Sequence, residues 1–510
     1  MNSYNSPTAK IKTNNLSVLN DVTIASGSVL QVSPLIGLTV GGTFTNNAGN
    51  TGFVLQSDAT GTGTFLDNGS TNSAVAATVQ QYLTTGRNWY ISTPVTNTTS
   101  AVFSANATNP LYYYDEVNGT SAPWPTITNT TTSLGVMKGY VVNVASTGAV
   151  AFTGNLNTGA QSITTLTRTA GQTKEGFNLV GNPYPSYLNW MLAIDASNTG
   201  TTNLLTTVWY RTKNNATTPA YVFDTYNETA NTGTNNNGVA AVTGMISPMQ
   251  AFWVRVAAGQ TSGTLAINNA MRLHQDVATN KFRVPAANAT QKVLRLQVSN
   301  GTNSDETIVL FNANATDGYD AYDSPKMTNG NASIPEIYTF AGTEKAVING
   351  LNSIATNSLV PLGFSTGAAN TFSIKATEVT DFDTDTRIVL KDKVLNVEQD
   401  ITSGTPYTFT SDATSTENRF AIIFKSASAI TGIDNPTENT DVRVSKNADN
   451  QIVITRNVDS QSGVVTICNT IGQKLLTTTL TGETTVISKS FSPGVYLVTV
   501  NNITKKVIIN

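Results

Sequence analysis

Cysteine, histidine and charge are the three things this chain has least of. Its one cysteine, Cys468, leaves no partner for a disulfide within the chain, and its one histidine, His274, leaves no zinc site of several Cys or His ligands. Cys468 sits in a Val/Ile run and reads as a small core hydrophobe rather than a reactive thiol. Any histidine-dependent chemistry must use His274, whose plainer reading is structural. Asp, Glu, Lys and Arg make up only 12% of 510 residues, with a net charge of -3. Asn, Thr, Ser and Gly stand in for them, a composition common in secreted β-proteins and unusual in cytosolic enzymes. No basic stripe is present, so nucleic acid is not an expected partner. No run approaches the roughly eighteen apolar residues of a transmembrane helix. The opening Met1-Asn-Ser-Tyr-Asn-Ser-Pro has neither the charged nor the apolar region of a signal peptide. An exported chain would have lost its leader or be a fragment, and a fragment with an added Met1 is the expectation.

What is abundant is the short strand. From about Asn15 to Leu66, Leu16-Ser-Val, Val22-Thr-Ile, Val29-Leu-Gln-Val, Leu38-Thr-Val and Phe53-Val-Leu are separated by Gly, Asn or Ser. That spacing suits rungs of a parallel β-solenoid, with an irregular meander as the alternative. Asn46 and Asn47 are candidates for stacking between rungs. From Thr78 the strands become longer and aromatic, in Asn88-Trp-Tyr-Ile, Leu111-Tyr-Tyr-Tyr, Thr207-Val-Trp-Tyr and Ala251-Phe-Trp-Val, and predict an antiparallel sandwich. One short helix is expected over Tyr187–Ile194, started by Pro185 and Ser186. A third block, with Val293-Leu-Arg-Leu-Gln-Val, Arg387-Ile-Val-Leu and Arg419-Phe-Ala-Ile-Ile-Phe, predicts a second sandwich. Ser426-Ala-Ser-Ala-Ile-Thr reads as a connector. The resulting division is all-β: a solenoid-like segment 1–77, an aromatic sandwich 78–278, a second sandwich 279–428 and a small C-terminal sandwich 429–510.

Candidate chemistry is sparse. Asn312, Asn314, Asp317, Asp320 and Asp323 form the densest set of oxygen ligands and suggest a calcium loop, since hard cations want several carboxylate and carbonyl oxygens on a tight turn. The set departs from the EF-hand pattern in its glycine position and missing Glu, and a polar loop of Asx turns is the competing account. Asp381, Asp383 and Asp385 read as a solvated acidic turn; paired carboxylates for glycoside hydrolysis would have to face each other across a cleft. No nucleophile elbow, phosphate loop or dinucleotide fingerprint is present, and no catalytic constellation emerges. Trp89, Tyr90, Tyr112, Tyr113, Tyr114, Trp124, Trp209, Tyr210, Phe252 and Trp253 offer possible stacking faces for sugars, although alternation on strands sends many of them inward. Tyr112, Tyr113 and Tyr114 cannot all face one side, which leaves Tyr113 or its neighbours open to a ligand.

The tail has the most specific pattern. Gln451-Ile-Val-Ile-Thr, Gly463-Val-Val-Thr-Ile-Cys, Thr485-Val-Ile-Ser and Gly494-Val-Tyr-Leu-Val-Thr-Val are short Val/Ile/Thr strands stopped by turn residues. Ile452 and Ile454, like Val465 and Ile467, alternate with polar residues. In Ser492-Pro-Gly, Pro493 should preset φ and Gly494 supply a positive one. The Asn469-Thr-Ile-Gly-Gln-Lys corner, the Ser492-Pro-Gly-Val-Tyr-Leu-Val-Thr-Val run and the final Lys505-Lys-Val-Ile-Ile together resemble the type A C-terminal sorting domain of type IX secretion cargo in Bacteroidota. The usual Pro-Asn-Pro opening appears only as Gly432-Ile-Asp-Asn-Pro436. Asn88-Trp-Tyr-Ile-Ser-Thr-Pro-Val, Phe177-Asn-Leu-Val-Gly-Asn-Pro-Tyr-Pro-Ser and Ile246-Ser-Pro-Met-Gln-Ala-Phe-Trp-Val likewise resemble a recurrent module of surface proteins in those bacteria.

These resemblances imply a secreted cell-surface protein, adhesin-like or structural and serving attachment or gliding; the shortage of catalytic residue types argues against an enzyme. They imply as partners a PorV-type outer-membrane shuttle barrel, the type IX translocon and a sortase, with surface glycans or another adhesin as further partners. Pro493, Gly494, Tyr496, Lys505 and Lys506 are the expected recognition residues. The alternative is a lectin or a carboxylate-dependent glycoside hydrolase.

Overall fold

A computed structural model describes residues 7–69, 74–104, 111–195, 200–274, 291–426, 442–447, 449–456, 463–500 and 503–509. The chain divides into two compact units, Met1–Ser426 and Ala427–Asn510. The fold is all-β, with a single short α-helix among the described residues. None of the described helices is long and apolar enough to cross a membrane.

The larger unit opens with a parallel stack. Thr8 pairs with Val29, Leu30 with Phe53 and Leu55 with Val79, a rung every 21 to 24 residues. Two further parallel ladders join Leu16–Val18, Gly37–Val40 and Thr64–Asp67, and Val22–Ile24 with Phe44–Asn46. Each short strand can bury its alternate residues only against the rungs above and below, which is why three or four residues suffice. Phe44, Phe53 and Phe65 fill the interior, their ring centroids 4.7 to 5.2 Å apart. Asn46 does link rungs: its Nδ2 donates to Ala76 O at 2.7 Å. The stack begins earlier than expected, at Thr8–Ile11.

It also has no clean end at residue 77. The strand Ala76–Leu83 pairs in parallel with Phe53–Leu55 on one side and antiparallel with Gly148–Asn155 on the other. The expected 77/78 boundary therefore falls inside a strand, and one hydrophobic core runs from Ile24 through Val79 and Phe103 to Phe152.

The aromatic segments build two antiparallel sheets. One orders Asn88–Ile91, Tyr140–Asn143, Leu111–Tyr112 and Thr126–Ile127; the other orders Phe177–Gly181, Ala251–Arg255, Thr207–Lys213, Tyr221–Asn227 and Thr232–Gly233. The helix is Trp190–Ile194, shorter than expected. Its N-cap is Asn189, whose Oδ1 accepts from Met191 N at 3.0 Å, while Ser186 Oγ accepts from Arg272 Nε at 3.0 Å. The helix starts later than Pro185 and Ser186 suggested because Tyr187–Asn189 pairs as a strand with Met245–Ile246 and Arg272–Leu273.

The third block is one 11-stranded sheet rather than two facing ones. Its outermost strands, Val397–Asp400 and Tyr407–Ser411, follow each other in sequence, and Tyr407 Oη on the last donates to Asp392 Oδ2 on the second at 3.0 Å. The sheet thus curls almost to closure around Leu294, Ile337, Phe364, Phe372, Ile388 and Phe420. Strand length and alternation are the same for a sandwich and a curled sheet, so the pattern alone did not separate them.

The smaller unit is a two-sheet sandwich. Val442–Lys446, Ile452–Arg456 and Thr484–Val486 face Lys474–Thr479, Val464–Asn469, Gly494–Val500 and Ile503–Ile509. Ile452, Ile454, Val465 and Ile467 are buried between them, with Val498, Val500 and Val507. Cys468, next to Ile467 on the opposite face, is half-buried rather than core.

Candidate functional site

The aromatic sheets do not seal against each other. They leave a cavity of about 550 Å³ whose walls include Tyr90, Tyr112, Tyr114, Trp124, Phe223 and Trp253. Strand alternation explains which tyrosines reach it. Tyr112 and Tyr114 line the cavity, while Tyr113 points the other way, under Lys138 Nζ at 3.6 Å from its ring centroid. Of the three, Tyr113 is therefore the one withheld from the cavity. Tyr114, Trp124 and Trp253 form a triangle of edge-on contacts with centroids 4.6 to 5.9 Å apart. Trp209, Tyr210 and Phe252 are buried elsewhere as core, and Trp89 packs against the core of the stack.

Two cations complete the wall. Arg211 and Phe223 are cross-strand partners, which places the guanidinium 4.3 Å from the Phe223 ring centroid. Arg211 donates to Asn329 O at 2.8 Å and to Asn329 Oδ1 at 3.4 Å, so a loop of the curled sheet fixes a side chain of the aromatic one. Lys174 Nζ lies over the same ring at 4.8 Å. Burial, with Arg211 close by, pulls Lys174 down to about 8, against an opposing pull from Glu336. Burial also pushes Tyr90 and Tyr114 up to about 12.

Lys174 lies on a turn rather than a strand, and Glu116 holds that turn. Only 3% exposed, Glu116 accepts four hydrogen bonds: from Thr167 Oγ1, Thr169 N and Thr169 Oγ1 at 2.8 Å and from Gly176 N at 2.9 Å. Gly176 has φ of +81°, so the turn needs a glycine there. Lys174, Arg211, Glu116 and Asn329 were not singled out from sequence. The available signal was modest: Arg211 two residues after Trp209 on one strand face, and Lys174-Glu-Gly in a turn.

The expected calcium ligands come together only in part. Asp320 Oδ2 accepts from Thr316 N at 2.6 Å and its Oδ1 from Tyr322 N at 2.8 Å. Asp323 accepts from Asp320 N at 2.7 Å and Gly350 N at 2.9 Å. Asn312 Oδ1 accepts from Asn314 N at 2.9 Å, and Asp317 Oδ1 turns away to Asn352 N and Asn357 Nδ2. These are Asx turns, with the oxygens engaged by amides. No group of three or more His, Cys, Asp or Glu side chains poised for a metal ion occurs among the described residues. Asp383 pairs with Lys292 at 3.1 Å on the surface, within the acidic turn.

His274 bridges the parallel stack. Its Nε2 is 2.9 Å from Thr39 Oγ1 and its Nδ1 2.6 Å from Thr64 Oγ1. Both ring nitrogens are engaged by threonines of neighbouring rungs.

In the smaller unit, Tyr496 is buried, 5.0 Å from the Phe491 ring, and donates to Ser492 O at 2.6 Å. Gly494 is not among the glycines with positive φ; it opens the last hairpin opposite Ile509. The positive φ falls instead on Gly472, at +80°, in the corner where Asn469 Oδ1 accepts from Gln473 N at 2.9 Å. Pro493 precedes the Gly494–Val500 strand. Lys505 and Lys506 lie on opposite faces of the terminal strand, with Lys506 exposed and Lys505 half-buried, so they do not make one basic patch.

No curated protein matches the chain. A family described as a domain of unknown function, DUF8693, matches residues 2–424, most of the chain and nearly all of its larger unit. The chain belongs to that family.

Proposed function

We infer that this is a secreted, surface-delivered structural or adhesin-like protein, whose residues 427–510 act as the address for type IX export and whose larger unit is the cargo. The observation that carries the reading is the separateness of the tail, a compact unit whose core comes from its own strands, from Val442 to Ile509. A receptor can read such a label by shape whatever cargo it carries. The faces on offer are the corner bearing Ile471, 84% exposed, and the terminal strand with Lys506 and Ile508 outward. The partners in this reading are the PorV-type shuttle barrel, the translocon and the sortase.

The test is deletion of residues 427–510 in a host with type IX secretion, followed by surface labelling of the larger unit. Retention inside the cell is expected; undiminished surface labelling would refute the assignment. Transfer of 427–510 to an unrelated folded protein should carry that protein out. A second reading, carbohydrate binding by the larger unit, draws on the aromatic cavity, whose walls include the half-exposed face of Trp124.

A further inference from the structure

We propose that the cavity bounded by Trp124, Trp253, Phe223, Arg211 and Lys174 binds an anionic saccharide, a sugar residue carrying a carboxylate or sulfate group. The inference deepens the carbohydrate-binding reading and rests on it. Its first support is charge: the lining holds two cations and no carboxylate. Neither cation is neutralised by an ion pair among the described residues. Arg211 donates to the neutral oxygens of Asn329 and to the Tyr90 hydroxyl, and Lys174 sits over a phenyl ring. Glu336 is the acidic group whose field reaches both, yet its Oε1 accepts from Asn329 N at 2.6 Å and Lys326 counters its charge more than Lys174 does. A quaternary ammonium ligand, the usual guest of an aromatic cage, would meet two positive charges here.

The second support is unmet hydrogen bonding. Trp253 is 1% exposed and Tyr114 9%, yet Trp253 Nε1 and Tyr114 Oη have no hydrogen-bond partner among the described residues. Both residues line the cavity, and Gly119, also in the lining, leaves the space beside Tyr114 Oη open: a Cβ there would stand 3.2 Å from it. Buried donors left unpaired are costly, and sugar hydroxyls would satisfy them. The third support is shape. Trp124 is 37% exposed beside the buried aromatics, and Asn88, Thr173 and Thr328 supply amide and hydroxyl groups to the lining. The volume falls within the roughly 300–1,000 Å³ typical of small-molecule sites. Aromatic faces meet the C–H face of a pyranose, the polar groups meet its hydroxyls, and the two cations meet its acid.

The experiment is calorimetric titration of the full chain with three sets of oligosaccharides: oligogalacturonate, a sulfated oligosaccharide, and neutral oligomers of similar length. Trp fluorescence serves as a second readout. Binding of one or both anionic sets, at least about 10-fold tighter than the neutral ones, is expected. Lys174→Gln should weaken it about 10-fold or more without changing the thermal melt, and Trp124→Ala should weaken both charged and neutral ligands. Equal affinity for neutral and anionic oligomers would overturn the proposal while leaving carbohydrate binding standing; no binding of any set would overturn both. Unchanged affinity in Lys174→Gln would also sink it, since the charge would then lie elsewhere.

Discussion

Glu116 anchors the turn that carries Lys174, one of the cavity's two cations. Its carboxylate is buried and holds two backbone amides, of Thr169 and Gly176, together with the hydroxyls of Thr167 and Thr169. In Glu116→Ala the hydroxyls can turn to other acceptors, but the amides cannot. Each buried N–H left without a partner costs about 1–3 kcal/mol, and hydrogen bonds to a charged acceptor are the stronger kind, so a loss of about 3–5 kcal/mol is expected. Unfolding entropy of about 2.1 cal/mol/K per residue, over a unit the size of Met1–Ser426, comes to roughly 0.9 kcal/mol/K. The melting temperature should then fall by about 3–6 °C if that unit unfolds as one. Glu116→Gln should lose much less, because both amides share Oε1 and the Gln carbonyl oxygen can take its place. Tryptophan fluorescence is the right assay because all five tryptophans precede residue 427, so the smaller unit is silent. Because the same turn carries Lys174, Glu116→Ala should also weaken any anion bound in the cavity. A melt within about 1 °C of the wild type would refute the reasoning, since it would mean that those amides find other partners at no cost.

Three further outcomes are expected. Gly37→Ala should destabilise the larger unit by about 1–3 kcal/mol, because its Cβ would overlap the His274 ring at Nδ1, and a second change, His274→Ala, should restore part of the loss; equal melts for the single and double variants would count against the clash. Burial, with Arg272 beside it, holds His274 at about 4, below an unfolded value near 6.5, so the unfolded chain takes the proton first and stability should fall by up to about 3 kcal/mol from pH 6.5 towards 4. In His274→Gln that part of the acid sensitivity should vanish, and melts at pH 7 and 4.5 measure it. Anion affinity in the cavity should decline as pH rises through about 8, where Lys174 loses its proton while Arg211 keeps its charge and Tyr90 and Tyr114, near 12, stay neutral; a flat titration from pH 7 to 9.5 would remove Lys174 from the site.

How far the sequence was legible depended on whether a residue's neighbours in space were also its neighbours in pattern. The parallel stack could be read because its three- and four-residue apolar strands, such as Val22–Ile24 and Phe53–Leu55, are too short to bury a face except against neighbouring strands. Thr8–Ile11 was missed because Thr-Ala-Lys-Ile carries a single strong apolar residue, Ile11; its pairing with Val29–Val32 makes it a strand. The inward faces of the tail followed from alternation at Ile452, Ile454, Val465 and Ile467. Closure of the 11-stranded sheet did not, because partner choice between distant strands leaves no mark on either one. Gly494 was misjudged for a related reason: a Pro-Gly pair signals a bend, but strand pairing with Ile509 decides the glycine's conformation. The aromatic half of the cavity was visible in the tyrosine run. Its cationic half was not, because Lys174 arrives from a turn set by Glu116, about sixty residues earlier in the chain.

The way this chain spends its few charges bears on what the cavity can do. Arg87 lies 4.4 Å from the ring centroid of Trp89, Arg255 4.9 Å from that of Phe177 and Arg272 4.6 Å from that of Tyr184. Where a carboxylate is also present, as with Glu344 beside Arg255 and Asp392 beside Arg419, the charge is consumed locally. A phenyl ring is a weaker partner: it attracts a cation by about 0.5–2 kcal/mol and leaves its net charge in place. Seating Lys174 and Arg211 on Phe223 therefore fixes two cations without neutralising them, and burial strengthens the field they project into the opening. Were their task only to stabilise the sheet, an acidic partner at Phe223 would serve at least as well. An aromatic partner has a further effect: it leaves the positive charge available to something that arrives from outside.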